Sequence, residues 1–537
     1  MIYAYLFLLT LLTFNSTDNS SLADDLQSIN DLLSEIDNGK ETITQELVYD
    51  ENTPFDIQLV QKTVKQKDGK EKEEVLLFNL GLMSEDNVEL KTSKKELSVI
   101  LKSKQGKFVN RLLDGEDKGY GNEVKMYFDD IDVAREAKEL LESAIPSASE
   151  AWEESIDLPE DLSSIKSWTI ERIGNINYEK KTVIQDLSSH DDYEDYMILA
   201  SNKNKKDDYT HFIGLGDINP KSIKIKTGKE VVLEFKTEKN RKTILQSGKG
   251  KTGFTNAVTL FFETPSEALE FGKAIEKMVE QAAEIRDTRI ESYGFCDNCL
   301  EDITSAINSF SGEKSVSATA DCNAEIEITD KKGKKKSYSF NWGDLDDRKI
   351  KESYGSSELT LKIETNQKQK FVIESKEDEL SGYSNKIEIP FSDLEFFRSF
   401  TNRIEQVIAS CSPDVTEQDM DYIAETLEAA STEKLSQVVA MESDCKMLLS
   451  ESINDGKKSK DYEINLYDLD KSKVELNIAK KALTLNLRTK GKEKTISTTD
   501  HDGKSEFTEK FSLVFDNLLT ARNAQITLEN KINTCDN

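Results

Sequence analysis

Four stretches decide the fold: YGNEVKMYF at 120–128, FTNAVTLFF at 254–262, YSNKIEIPF at 383–391 and FTEKFSLVF at 507–515. Each begins on an aromatic, Tyr120, Phe254, Tyr383 or Phe507, and ends eight residues later on a phenylalanine, Phe128, Phe262, Phe391 or Phe515. Between the two, apolar and polar residues alternate with the period of a strand that has one wet face. Each run then enters an amphipathic helical pattern, in the third copy through Leu394, Phe397, Ile404 and Ile408. Twenty residues past the phenylalanine these helices reach Ala148, Ala282, Cys411 and Cys535. The copies recur about every 130 residues, and a repeat of that length is a whole small domain, unlike the short units that stack into solenoids.

Working outward, each copy opens on a helical stripe: Leu22, Leu26, Ile29, Leu33 and Ile36 in the first, Leu158, Leu162, Ile165, Trp168 and Ile173 in the second. The third offers Leu300, Ile303, Ile307 and Phe310, and the fourth Met420, Ile423 and Leu427. Short alternating segments follow, such as 324–329, 337–340 and 359–363, broken by Lys, Gly and Asp turns. The expected fold class is therefore α+β: four tandem repeats, each a short opening helix, an antiparallel bent sheet or partial barrel of about seven strands, and a C-terminal capping helix. The expected boundaries are 1–19 for a signal peptide and polar leader, then 20–148, 149–283, 284–412 and 413–537 for modules one to four.

The run IYAYLFLLTLLTF at 2–14, followed by the polar stretch 15–21, matches the apolar region of a signal peptide and is too short to span a bilayer. The expectation is export, to the medium, periplasm or cell surface, with an uncleaved anchor or a buried first strand as the alternative. A net charge of −31 over 537 residues, with 32% of them charged, opposes nucleic acid and anionic membrane surfaces as partners. It suits a solvated, non-adhesive surface.

Six cysteines, Cys296, Cys299, Cys322, Cys411, Cys445 and Cys535, fit a disulfide-permissive compartment. Cys411 and Cys535 share one register position, and Cys322 and Cys445 lie 22 and 23 residues before Asp344 and Asp468. Pairing Cys322 with Cys411 and Cys445 with Cys535 gives the same staple twice, over 89 and 90 residues. Cys296 and Cys299 form a C-x-x-C at a predicted helix start. A structural disulfide is the expected reading there, with a redox-active pair and half of a metal site as alternatives.

The order of elements resembles the pleckstrin-homology-like fold, a bent sheet of about seven strands plugged by a C-terminal helix. The phrases YSFNWGDLD at 338–346 and YEINLYDLD at 462–470 look like those of small exported proteins of Bacteroidetes-type bacteria whose function is unassigned. Phosphoinositide binding does not carry over, because no basic pocket follows the first strand.

Other patterns read as structural. His190, His211 and His501 form no cluster and are expected on the surface or in turns. SGKGKTG at 247–253 has Leu245 where a phosphate loop needs its first glycine, and reads as the turn before the last strand. Asp217/Asn219, Asp344/Asp346 and Asp468/Asp470 lack the oxygen count and hinged loop of a calcium site and read as turns, with Leu82 and Ser84 in the first copy. The aromatics at 120, 254, 383 and 507 read as core more than as a ligand rail. No catalytic residue, metal site or cofactor is assigned. The functional expectation is a non-enzymatic binding or spacer protein whose partner is a protein or glycan. The alternatives are a thiol-disulfide oxidoreductase using Cys296 and Cys299, and an apolar-ligand carrier.

Overall fold

A computed structural model describes residues 22–93, 96–178, 181–203, 207–294, 298–309, 315–319, 321–330, 332–479 and 482–536. The expectation for the 2–14 segment falls outside them. Two compact units divide the chain, Met1–Arg286 and Asp287–Asn537.

The class is α+β, and the described strands pair antiparallel throughout. The described helices are α1 (Leu22–Asp31), α2 (Ile131–Ser155), α3 (Leu162–Arg172), α4 (Pro265–Tyr293), α5 (Cys299–Ser309), α6 (Leu394–Ser410), α7 (Met420–Ala429) and α8 (Leu518–Asp536). Sheets recur in like pairs, a larger one of five or six strands and a three-stranded one. In each pair the three-stranded sheet ends on the last strand before the long helix: Glu123–Phe128, Ala257–Phe262, Lys386–Phe391 and Lys510–Phe515. Their alternating residues Val124, Met126 and Phe128, and the matching residues of the other three, are buried, as period two dictates.

Three expectations need correction. The sheet pairs hold nine, nine, eight and eight strands among the described residues rather than about seven. The excess comes from short edge pieces, such as Ile36–Asp37, that carry too few residues for a periodic signal. Ile36 therefore stands in a strand and not on the opening helix, which ends at Asp31. The closing helices α2 and α4 also run on past Ala148 and Ala282, to Ser155 and Tyr293. Nothing stops α2 at 148, since Trp152 lies one turn further on and is buried. In α6 the helix does stop at the register position, with Cys411 as its C-cap and Pro413 following.

Two devices hold the sheet pairs together, the first in the first, second and fourth pairs and the second in the first, second and third. The first is a buried glutamine that spans the seam between the larger sheet and the last strand. Gln45 Nε2 donates to the Tyr127 carbonyl at 2.8 Å while its Oε1 accepts from the Tyr127 amide at 2.9 Å. Gln185 does the same with Phe261, and Gln437 reaches the Ser512 carbonyl and the Val514 amide. A side-chain amide thus replaces ladder hydrogen bonds where two backbones diverge, and leaves no buried group unpaired.

The second device is a close approach of the closing helix to a 3₁₀ turn. A Cβ on Gly81 would stand 2.8 Å from the Ala148 carbonyl oxygen, one on Gly216 2.7 Å from that of Ala282, and one on Gly343 2.5 Å from that of Cys411. Each obstacle is backbone, so no side chain can swing aside. Gly216→Ala is accordingly expected to cost about 1 to 3 kcal/mol. It should also raise hydrogen exchange at 215–217 and 278–286, read by mass spectrometry. Unchanged exchange there would show that the contact is slack.

Candidate functional site

Cys322 is bonded to Cys411 and Cys445 to Cys535, with Cα separations of 5.5 and 5.7 Å. These are the two pairs that the register matches. Both link the strand region ahead of a 3₁₀ turn to the end of a closing helix: the carbonyls of Cys322 and Cys445 accept from the amides of Trp342 and Leu466, each at 2.9 Å. In the first unit the Leu215 amide donates in the same way to Asp195, which is 1% exposed. Beside it the buried Lys166 ammonium donates to the carbonyls of Glu194 (2.9 Å) and Tyr196 (3.0 Å), and burial pulls its pKa down. Nothing in the sequence marks this lysine, which shares its buried helix face with Leu162 and Thr169. The expectation for the Cys296–Cys299 pair falls outside the described residues, because Cys296 does. Cys299 opens α5 and carries no free thiol.

The three acidic phrases form turns. Asn219 and Asp470 cap short 3₁₀ helices by accepting from the amides of Lys221 and Ser472. Asp346 accepts from the Arg348 amide, and Asp217 faces Arg286 at 3.6 Å. Asp344 differs. It is 4% exposed and takes both guanidinium branches of Arg522, each at 2.7 Å, while that guanidinium lies 4.0 Å over the Phe371 ring. This pair borders a recess of about 440 Å³ that also gathers Asn323, Phe340 and Leu519. A second recess, of about 780 Å³, lies in the first unit under Glu85, Asp86, Glu150 and Glu153. Its one lysine, Lys104, is already engaged with the Gly81 carbonyl at 3.0 Å and the Ser149 hydroxyl at 3.1 Å.

The 247–253 segment is a hairpin. Strands Ile244–Gly248 and Lys251–Thr255 pair across Lys249 and Gly250, both at positive φ. His501 sits in a turn with Asp500 and Asp502, where Asp500 is already spent on the Lys504 and Asp502 amides and held below its usual pKa by them. His190 accepts from the Asp192 amide in a turn. His211 departs from expectation: it stands inside the strand Asp207–Gly214, half-buried, because its neighbours in that strand and the next leave the ring little access to water.

Burial pushes the His211 pKa down from 6.5, and a hydrogen bond involving the Leu199 backbone only partly offsets this. The unfolded chain therefore binds the proton more readily than the fold does. Above pH 6.5 the residue costs nothing; as pH falls from there toward the lower folded value, stability is lost. His211→Asn should remove that part of the slope in urea midpoints measured between pH 7.5 and roughly 5.5. An identical slope in the variant would assign it elsewhere.

The edge aromatics have separate fates. Phe254 is 5% exposed. Tyr120 packs on the core that holds Leu233 and Phe262, and its hydroxyl donates to the Glu263 carbonyl at 3.0 Å. Tyr383 packs, with Phe371 and Ile373, on the core that holds Leu485 and Phe515. Phe507 is 63% exposed. Compared with protein-family models, with curated proteins and with solved structures, the chain matches none. Among the described residues no helix is long and apolar enough to cross a membrane, and the two disulfides suit an oxidising, extracellular or periplasmic compartment.

Proposed function

We propose that the chain is an exported, non-enzymatic array of four modules, 20–148, 149–283, 284–412 and 413–537, that spaces or presents a binding surface for a protein or glycan. The observation that carries this is where the buried polar chemistry is spent. Arg522 and Asp344, a buried two-pronged ion pair, join the fourth sheet pair to the third, and the Tyr120 hydroxyl joins the first to the second. Both contacts make joints, and the ion pair also borders the recess of about 440 Å³. Disulfides reinforce the last two modules.

The test uses the whole chain. Incubated with insulin and a dithiol, it should not accelerate disulfide reduction, whereas immobilised chain should retain an envelope protein or glycan that free chain displaces. Catalysed reduction that Cys296→Ser abolishes would overturn the reading in favour of an oxidoreductase. Retention of nothing from envelope or medium would remove the binding role.

A further inference from the structure

We propose that the Phe507 edge of one chain docks on the first sheet pair of a second copy, joining chains head to tail. The proposal rests on the four-module reading. Four edge strands correspond, Glu116–Gly121, Lys251–Thr255, Glu379–Ser384 and Ser505–Thr508. In each, the aromatic stands opposite one residue of the neighbouring strand: Tyr120 with Asn110, Phe254 with Leu245, Tyr383 with Ile373, Phe507 with Ser497. Phe254 is covered, and Tyr120 and Tyr383 are seated on the core of the sheet pair that follows. Phe507, the same residue by register, stands in water.

The seat is defined in both joints. Tyr120 meets Glu263, the residue directly after Phe262, and packs, as Ile225 does, on the core of that sheet pair. Tyr383 packs on the core that holds Phe515, and Asp516, the residue directly after Phe515, is the counterpart of Glu263. On the first sheet pair that position is Asp129, directly after Phe128, and it is exposed. Leu90, paired with Val99 as Ile225 is with Leu233, is half-buried on the same sheet pair. A second apolar residue next to the aromatic is dispensable, since Tyr120 is seated with Asn110 opposite it. An edge strand with a bare aromatic on one module and the matching corner on another make a heterologous contact, which propagates as an open chain of copies rather than closing as a dimer.

The experiment places the photoreactive benzoylphenylalanine at position 507 of the full chain. Irradiation should yield dimers and higher multiples, more at higher concentration, with cross-links to peptides that contain Leu90 or Asp129 of another copy. Phe507→Asp should weaken self-association in sedimentation by about tenfold or more, as loss of a single aromatic anchor does. A cross-link within one chain to residues 1–21, a cross-link to a different protein only, or sedimentation unchanged by Phe507→Asp would each overturn the proposal. A companion variant, Tyr120→Asp, should raise hydrogen exchange around 263–269. If it does and position 507 stays unlinked, the assembly idea fails alone; if it does not, the modular reading beneath it fails.

Discussion

Reduction is expected to lower the stability of residues 287–537 and to leave residues 1–286 unmoved. No cysteine precedes Cys296, so the first unit has nothing to lose. Each long staple closes 89 or 90 residues, and releasing one is expected to cost about 4 to 5 kcal/mol as an upper figure in the chain-entropy account. That approaches the whole stability of a small domain. Urea unfolding with and without dithiothreitol, followed by hydrogen exchange so that the two units are read separately, checks it. The double variant Cys322→Ala, Cys411→Ala isolates one staple. Equal shifts in both units would refute the assignment of this stability to the cross-links.

Arg522→Ala is expected to cost about 3 to 5 kcal/mol, because it leaves the Asp344 carboxylate buried with no cation. The same substitution strips the Phe371 ring of its guanidinium cover. Two controls separate charge from packing. Arg522→Lys keeps the charge but loses the two-pronged geometry, and should fall between wild type and alanine. Arg522→Met combined with Asp344→Leu removes both charges together and should recover most of the loss. A double variant no more stable than Arg522→Ala would mean that the ion pair is not what holds this joint.

The sequence pattern made the last strand, the start of the closing helix and the two long cysteine pairs legible, because each depends on residues close in the chain or on an offset that occurs twice. The acidic phrases were legible as turns for a similar reason: Asn219 and Asp470 bond to amides two residues away. The seam glutamines were not. Gln45 and Gln185 share the buried face of their strands with Ile43 and Leu47 and with Val183 and Leu187, and only contact with a strand far along the chain reveals what they bond to. His211 was misplaced on the same ground, since alternation says which face a residue takes but not what covers that face. The seating of Tyr120 and Tyr383 on neighbouring cores was equally hidden. An aromatic at a sheet edge has one appearance in sequence whether its cover is its own module or the next, and Tyr467, 50% exposed where its counterparts are close-packed glycines, shows how far a single copy departs.

The placement of the staples also decides how the chain bears load. A pull on its two ends passes through Cys322–Cys411 and Cys445–Cys535 as covalent short cuts, so the 89 and 90 residues between them cannot pay out even after their sheets rupture. At about 3.4 Å per extended residue, roughly 300 Å of slack is withheld in each of the two loops. Stretching would therefore lengthen the first unit freely and the second only through residues outside these staples, 287–321 and 412–444, until a thiol arrives to cut the tether.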